Sequence, residues 1–431
     1  MYTTIGIMAA IFLLLLFAGL PVAFCLGIPG LVYYLMNPQL SLAFIPQSVT
    51  SPLFNFVMIA LPAFLLSGRM MNGAGITNRL FDAALAVVGR FRGGLAYANI
   101  VASMLFASMS GTAVGDAGGL GQVEMEMMDR AGYRKDFSAG VTAASSILGP
   151  LIPPSVAMVI LGATSGISIG KLFMGGAIPG LIMAASLLVY IFVRAHFGDG
   201  RTWPISKVPL SKVPGALARA ILPMLSPVII IGGISFGVVT PTEAAVLAID
   251  YAIVLGIFYK ELTLKGLIKI LAETVATVGT FMCIVAFAGF FTWIVTKEGL
   301  PQLIFSVLSP VVNYSATLAM LIICVALFVV GCFIDTTAAI LLVTPILMPI
   351  VNQMGLDPIH FGVVVVVALM TGIITPPFGI CLFVMADVAK LPVSAVTKES
   401  VRYLPAMFIT TLLVVLFPAL ATWLPRLLFG S

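Results

Sequence analysis

Two stretches of this chain repeat one interrupted pattern, and that pattern limits the fold more than any other feature. The first reads Ser108-Met109-Ser110-Gly111-Thr112-Ala113-Val114-Gly115-Asp116, followed by Gly149-Pro150-Leu151-Ile152-Pro153-Pro154-Ser155. The second reads Gly331-Cys332-Phe333-Ile334-Asp335-Thr336-Thr337, followed by Gly372-Ile373-Ile374-Thr375-Pro376-Pro377-Phe378-Gly379. Each couples a small, polar and acidic cluster to a Pro-Pro break, inside sequence that is otherwise apolar. Hydrophobic residues make up 61% of the chain and charged residues 9%. A soluble domain carries roughly 25% charged residues, so this composition describes a polytopic helical membrane protein. In hydrocarbon, irregular backbone and a carboxylate persist only where they line a protein-enclosed cavity. The two copies are therefore the candidate ion and substrate site.

The same composition excludes other classes. The net charge of +5 is spread over short loops between apolar runs, which reports membrane orientation and not a nucleic-acid surface. Cys25, Cys283, Cys324, Cys332 and Cys381 lie in apolar segments without a Cys-x-x-Cys pair, and read as packing residues. The glycines at 118, 119 and 121 lack the lysine of a phosphate-binding loop, which argues against ATP-driven pumping. The first apolar run exceeds a signal-peptide core and has no basic leader, so it reads as a span.

Runs of about 20 apolar residues, enough to cross a bilayer, fall at 4–35, 53–71, 138–163, 172–195, 220–239, 242–259, 274–296, 360–385 and 403–428. Segments 93–129 and 315–353 are long but interrupted by the polar clusters. Arginines 90, 92, 130 and 134 with Lys135 flank the first of these on both sides, so both its ends belong in the cytoplasm. It is expected to be a re-entrant hairpin with its tip at Ser108–Asp116. The second has no basic flank and is expected to enter from outside, with its tip near Gly331–Thr337. With the amino terminus inside and the carboxyl terminus outside, Lys171, Lys297 and Arg426 are the basic residues left outside among the 21. The elements then form two inverted repeats, 1–197 and 242–431, joined by a linker and span over 198–241. Inverted repeats with discontinuous helices at mid-membrane characterise ion-coupled secondary transporters. A short interfacial helix with Lys207, Lys212 and Arg219 is expected in the linker.

Paired prolines remove amide donors and open a helix. The opened turn frees carbonyl oxygens, hard donors suited to sodium, and leaves amino-terminal half-helix ends that suit a carboxylate. The first copy offers Ser108, Ser110 and Thr112, with carbonyls of Gly149, Ile152 and Pro154 opposite. The second offers Gly331, Asp335, Thr336 and Thr337, with carbonyls around Gly372, Thr375 and Pro377. For one copy alone, kinking and close helix packing explain these residues better. Two copies in opposite orientation favour a functional site. Elsewhere, Thr240-Pro241-Thr242-Glu243 reads as a helix start capped by Glu243. Asp250 is expected to need protonation or a partner. Glu124 and Glu126 read as solvated, and His196 and His360 as interfacial.

With these motifs assembled, the chain resembles the large membrane subunit of the tripartite ATP-independent periplasmic (TRAP) transporters over essentially its whole length. The resemblance rests on residues 110–116, 149–155, 241–244, Asp335 with its threonines, and 374–379. It implies sodium-driven uptake of an organic acid such as a C4-dicarboxylate or sialic acid, with two or more coupling sodium ions. It also implies an elevator mechanism in the bacterial inner membrane. Two partners follow: a small four-helix membrane subunit, here expected as a separate chain, and a periplasmic substrate-binding protein. The implied substrate pocket lies between the hairpin tips, with Thr112, Asp116, Ser155 and Ser168. A sodium/dicarboxylate symporter that needs no binding protein shares the hairpin-and-break logic and remains the alternative. A membrane-embedded enzyme would need a second catalytic carboxylate or a metal cluster beside Asp116 and Asp335, and none is visible.

Overall fold

A computed structural model describes residues 2–41, 43–198, 203, 204, 209, 211 and 213–430. Among these, regular structure is helical throughout, and eight helices are long and apolar enough to cross a membrane. The fold is that of an all-α polytopic membrane protein.

The first apolar run is not one helix. Its pattern is unbroken, but Gly19, in the left-handed region, and Pro21 stop it, giving α1 (Tyr2–Phe17) and α2 (Val22–Met36), which pack on each other. After α3 (Phe44–Thr50) and two single-turn helices comes α4 (Ala60–Gly73). The stretch after it, which lies between two expected membrane segments, contains α5 (Ile76–Val88), whose buried side carries Ile76, Leu80, Phe81 and Ala84. Its charged residues fall on the other side, the arrangement of an amphipathic helix.

The first hairpin then rises as α6 (Gly94–Ser110), turns at Gly111 and Thr112, and returns through α7 (Ala113–Gly115), a π-turn over Asp116–Leu120 and α8 (Gly121–Arg130). The first broken helix is α9 (Lys135–Ser146) and α10 (Val156–Ser165), followed by the continuous α11 (Ile169–Phe197). The expected interfacial helix at Lys207 and Lys212 lies outside the described residues; Arg219 belongs to α12 (Val213–Ser235).

In the second half, α13 (Pro241–Phe258) opens with a reciprocal capping box. Thr240 accepts from the Glu243 amide while Glu243 accepts from the Thr240 amide at 2.8 Å. Asp250, expected to need protonation or a partner, faces outward on α13 and is exposed. The long α14 (Leu264–Lys297) begins ten residues before the expected span and takes in Lys265, Lys269 and Glu273. A second unexpected amphipathic helix, α15 (Leu300–Tyr314), precedes the second hairpin, as α5 precedes the first. The hairpin arms are α16 (Ala316–Phe333) and α17 (Thr336–Gln353); the second broken helix is α18 (Pro358–Gly372) and α19 (Ile380–Ala389). The stretch between the last two expected spans holds α20 (Val393–Ser400), and the last expected span divides at Pro418 into α21 (Leu404–Leu416) and α22 (Ala419–Phe429).

Packing interlocks the two halves. Helix α10 of the first break lies on α17, while α19 of the second break lies on α9 and on the returning arm of the first hairpin. Helices α4, α13 and α14 pack together beside this unit. At the far end of α11, buried Arg194 pairs with buried Glu399 on α20 at 3.1 Å, tying that helix to the last spans.

Candidate functional site

The first hairpin tip is seated directly on the first break. Val156 donates its amide to the Gly111 carbonyl at 3.1 Å. At Gly149 a Cβ would lie 2.8 Å from Asp116 Oδ2 and 2.9 Å from the Thr112 carbonyl, so only a glycine fits between tip and break. Ser110 Oγ donates to Asp116 Oδ1, whereas Asp116 Oδ2 is buried with no hydrogen-bond partner. Thr112 caps the returning arm, its Oγ1 accepting from Gly115 at 3.1 Å. Ser155 caps α10 by accepting from Met158 at 3.2 Å, and its own hydroxyl turns to the Pro150 carbonyl. Ser108 donates to the Leu105 carbonyl at 2.6 Å.

The second tip repeats the contact. A Cβ on Gly372 would stand 2.6 Å from the Gly331 carbonyl carbon, and the amides of Phe378 and Gly379 both donate to the Cys332 carbonyl. Asp335 is the N-cap of α17, accepting from Thr337 at 2.9 Å. Thr336 Oγ1 is buried without a partner, and Thr375 donates to the Thr371 carbonyl at 2.8 Å. The peptide bond between the paired prolines is cis in both copies. The two breaks differ in setting: Pro153 and Pro154 are buried, whereas Pro376 and Pro377 are exposed.

Both tips open on one cavity of about 590 Å³, within the range of small-molecule sites. Ser110, Thr112, Asp335, Thr336 and Thr337 line it. Ser108, Asp116, Gly149, Ile152, Pro154, Ser155, Gly331, Gly372, Thr375 and Pro377 are not among the residues that line it. Ser168 lies apart from both tips. It caps α11 at the far end of α10 from Ser155, and its neighbours Ser165 and Lys171 line a separate surface pocket. The intervening helix carries it away from the tips, so adjacency in the apolar run does not become adjacency in space.

The opposite wall lies outside both repeated motifs. It comes from α4 through Gly68, Arg69 and Asn72, and from α14 through Glu273, Thr277 and Thr280. Arg69 lies at the end of the apolar run 53–71, and Glu273 immediately precedes the run 274–296. The legible signal was the spacing of 273, 277 and 280, a polar stripe on one face of an otherwise apolar helix.

Two residues differ from their expected settings. Glu124 is fully buried, accepting from Asn99 Nδ2 at 2.7 Å, and Asn99 also donates to Thr142 at 2.7 Å. Because α8 turns this face toward α6, Glu124 ties the two arms of the hairpin together, and Asn99 carries the network on to Thr142 of the broken helix, while Glu126 stays exposed beside Arg130. His360 is also buried, with Nε2 placed 2.8 Å from the Val414 carbonyl.

The donor set suits a small hard cation: hydroxyls, carbonyls and one carboxylate at each tip, all oxygen. The orphaned oxygens of Asp116 and Thr336 are the kind of buried acceptor that a bound ion satisfies.

With this geometry in hand, comparison with known proteins gives a consistent result. The family model described as "Tripartite ATP-independent periplasmic transporter, DctM component" matches residues 9–420. The chain belongs to this family. It is 42% identical over 417 residues to the sialic acid TRAP transporter large permease of Vibrio cholerae, covering 96% of this chain and 97% of that one. It is 38% identical to the sialic acid TRAP transporter permease of Haemophilus influenzae, covering 99% of this chain and 69% of the relative. Among solved structures, the YdaH transporter of Alcanivorax borkumensis superposes with a TM-score of 0.58 at 12% identity, over 87% of this chain and 89% of that one. That likeness is one of fold. As a large TRAP permease the chain is a transporter component and not an enzyme.

Proposed function

We propose that this chain carries a sialic acid or a related organic acid across the bacterial inner membrane, driven by sodium. The observation that carries the reading is the pair of hairpin tips, each seated on a Pro-Pro break, sharing one cavity and each holding an orphaned buried oxygen. One sodium ion would sit among Ser108, Ser110 and Thr112 with the carbonyls of Gly149, Ile152 and Pro154. A second would sit among Gly331, Asp335, Thr336 and Thr337 with carbonyls near Gly372, Thr375 and Pro377. Sodium bound there supplies positive charge beside the cavity, where Thr112 and the half-helix ends receive the acid. Asp116 shapes the first tip from behind.

The hairpins and breaks, interlocked across the repeats 1–197 and 242–431, would move as one body against α2, α4, α13 and α14, an elevator motion. The partners in this reading are a small membrane subunit of about four helices and a periplasmic binding protein that delivers the acid. Sialic acid is the first substrate to test, because the relative at 42% identity carries that name.

The test is uptake of labelled N-acetylneuraminate by proteoliposomes holding this chain with its small subunit and binding protein. Uptake is expected to need an inward sodium gradient and to persist without ATP. Full activity on a proton gradient without sodium would replace the coupling ion. Full activity without the binding protein would favour the simpler sodium symporter.

A further inference from the structure

The cavity has a wall that the sodium sites leave unexplained. Its lining contains three charged side chains, Asp335, Glu273 and Arg69, so Arg69 is the cation among the lining residues. Helix α4 presents it close to the first hairpin tip. At Gly68, one residue before it, a Cβ would come within 3.0 Å of Ser110 Cα and of the Met109 carbonyl oxygen. Arg69 Nη1 lies 3.1 Å from Glu273 Oε2, and Nη2 donates to Thr277 Oγ1 at 2.7 Å. Arg69 is about one-third exposed and Glu273 about one-half, so the pair faces the cavity and is not sealed into the helix interface.

Glu273 has a second cation in reach. Lys269, one turn earlier on α14, places Nζ 3.9 Å from Glu273 Oε1. If Arg69 turns to another carboxylate, Glu273 keeps a counter-charge. A pair whose members can part without stranding either one suits an exchange. The planar guanidinium matches a carboxylate with two parallel hydrogen bonds, which an ammonium does not.

We propose that Arg69 binds the carboxylate of the transported acid, taking it in exchange for Glu273, which masks the guanidinium when the cavity holds no acid. This rests on the reading of the cavity as an organic-acid site. It adds the residue that selects for the acid group. A scaffold cation beside the tip gives the anion a place to go when it leaves the sodium-loaded tips. The competing explanation is that Arg69 and Glu273 only clasp α4 to α14.

The two explanations give opposite signs for one variant. The complex of this chain with its small subunit, purified in sodium buffer, is titrated with N-acetylneuraminate and with its methyl ester, which lacks the charge. Arg69→Gln is expected to weaken acid binding by about tenfold or more, the scale of one lost charge-assisted contact. It should leave the ester unaffected, so that discrimination between the two collapses. Arg69→Lys should restore part of it. Glu273→Gln unmasks the guanidinium and is expected to tighten acid binding several-fold. Equal weakening by Arg69→Gln and Glu273→Gln, with the acid-to-ester ratio unchanged, would overturn the proposal in favour of a clasp. Wild-type complex that binds neither compound would instead overturn the organic-acid reading, and this inference with it.

Discussion

Gly111 at the first hairpin tip lies against Pro154 of the first break, so closely that a Cβ would stand 3.0 Å from the Pro154 carbonyl oxygen. The glycine also sits at φ +62°, where a side chain costs about 1–2 kcal/mol. Gly111→Ala should therefore combine that strain with displacement of the tip from the break. Gly166→Ala is the control, since Gly166 has φ +76° and nothing within 4 Å. In a thermal unfolding assay Gly166→Ala should show the cost of strain alone, and Gly111→Ala should lower the melting temperature further. Gly111→Ala alone should raise the sodium needed for half-maximal uptake.

Glu124 tests the buried network behind that tip. Gln keeps the size and offers an oxygen to Asn99 Nδ2, so Glu124→Gln should unfold close to wild type. Glu124→Leu removes the acceptor and leaves a buried amide hydrogen unpaired, costing about 1–3 kcal/mol. Differential scanning fluorimetry in detergent distinguishes them, and equal melting temperatures would show that Glu124 is not holding the two hairpin arms together.

Asp335 both caps α17 and lines the cavity, and its two roles separate on substitution. Asn keeps the cap, because its side-chain oxygen can still accept from the Thr337 amide, but loses the charge. Asp335→Asn should assemble with the small subunit normally, transport poorly and need several-fold more sodium. Thr337→Ala should show a weaker form of the same change, because a neutral oxygen ligand contributes less than a charged one. Unchanged sodium dependence in the Asn variant would confine Asp335 to capping.

Orientation is open to a direct check. In a background with the exposed Cys283 replaced by Ser, a cysteine at Ala131 should be labelled by an impermeant thiol reagent only from the cytoplasm. One at Asn352 should be labelled only from the periplasm. Labelling of Ala131 from the periplasm would remove the inverted repeat.

The sequence by itself determined the class, the two interrupted segments and the residues of both tips. Composition is a bulk property, and Pro-Pro and small polar clusters act on their own backbone, so these features survive without tertiary context. Hairpin ends at Ser110 and Asp335, and breaks at 147–155 and 373–379, follow from local chemistry alone. The divisions at Pro21 and Pro418, and the helices α5 and α15, are encoded just as locally, by proline and by amphipathic spacing. What only the tertiary structure decided is which surfaces meet. Arg69 and Glu273 are 204 residues apart and pair because α4 and α14 pack together. Glu124 is buried because α8 turns toward Asn99, and Ser168 is lost to the site because α10 carries it away. Helix facing and inter-helix contact depend on how every other element fills the space around them, and no single stretch of sequence carries that information.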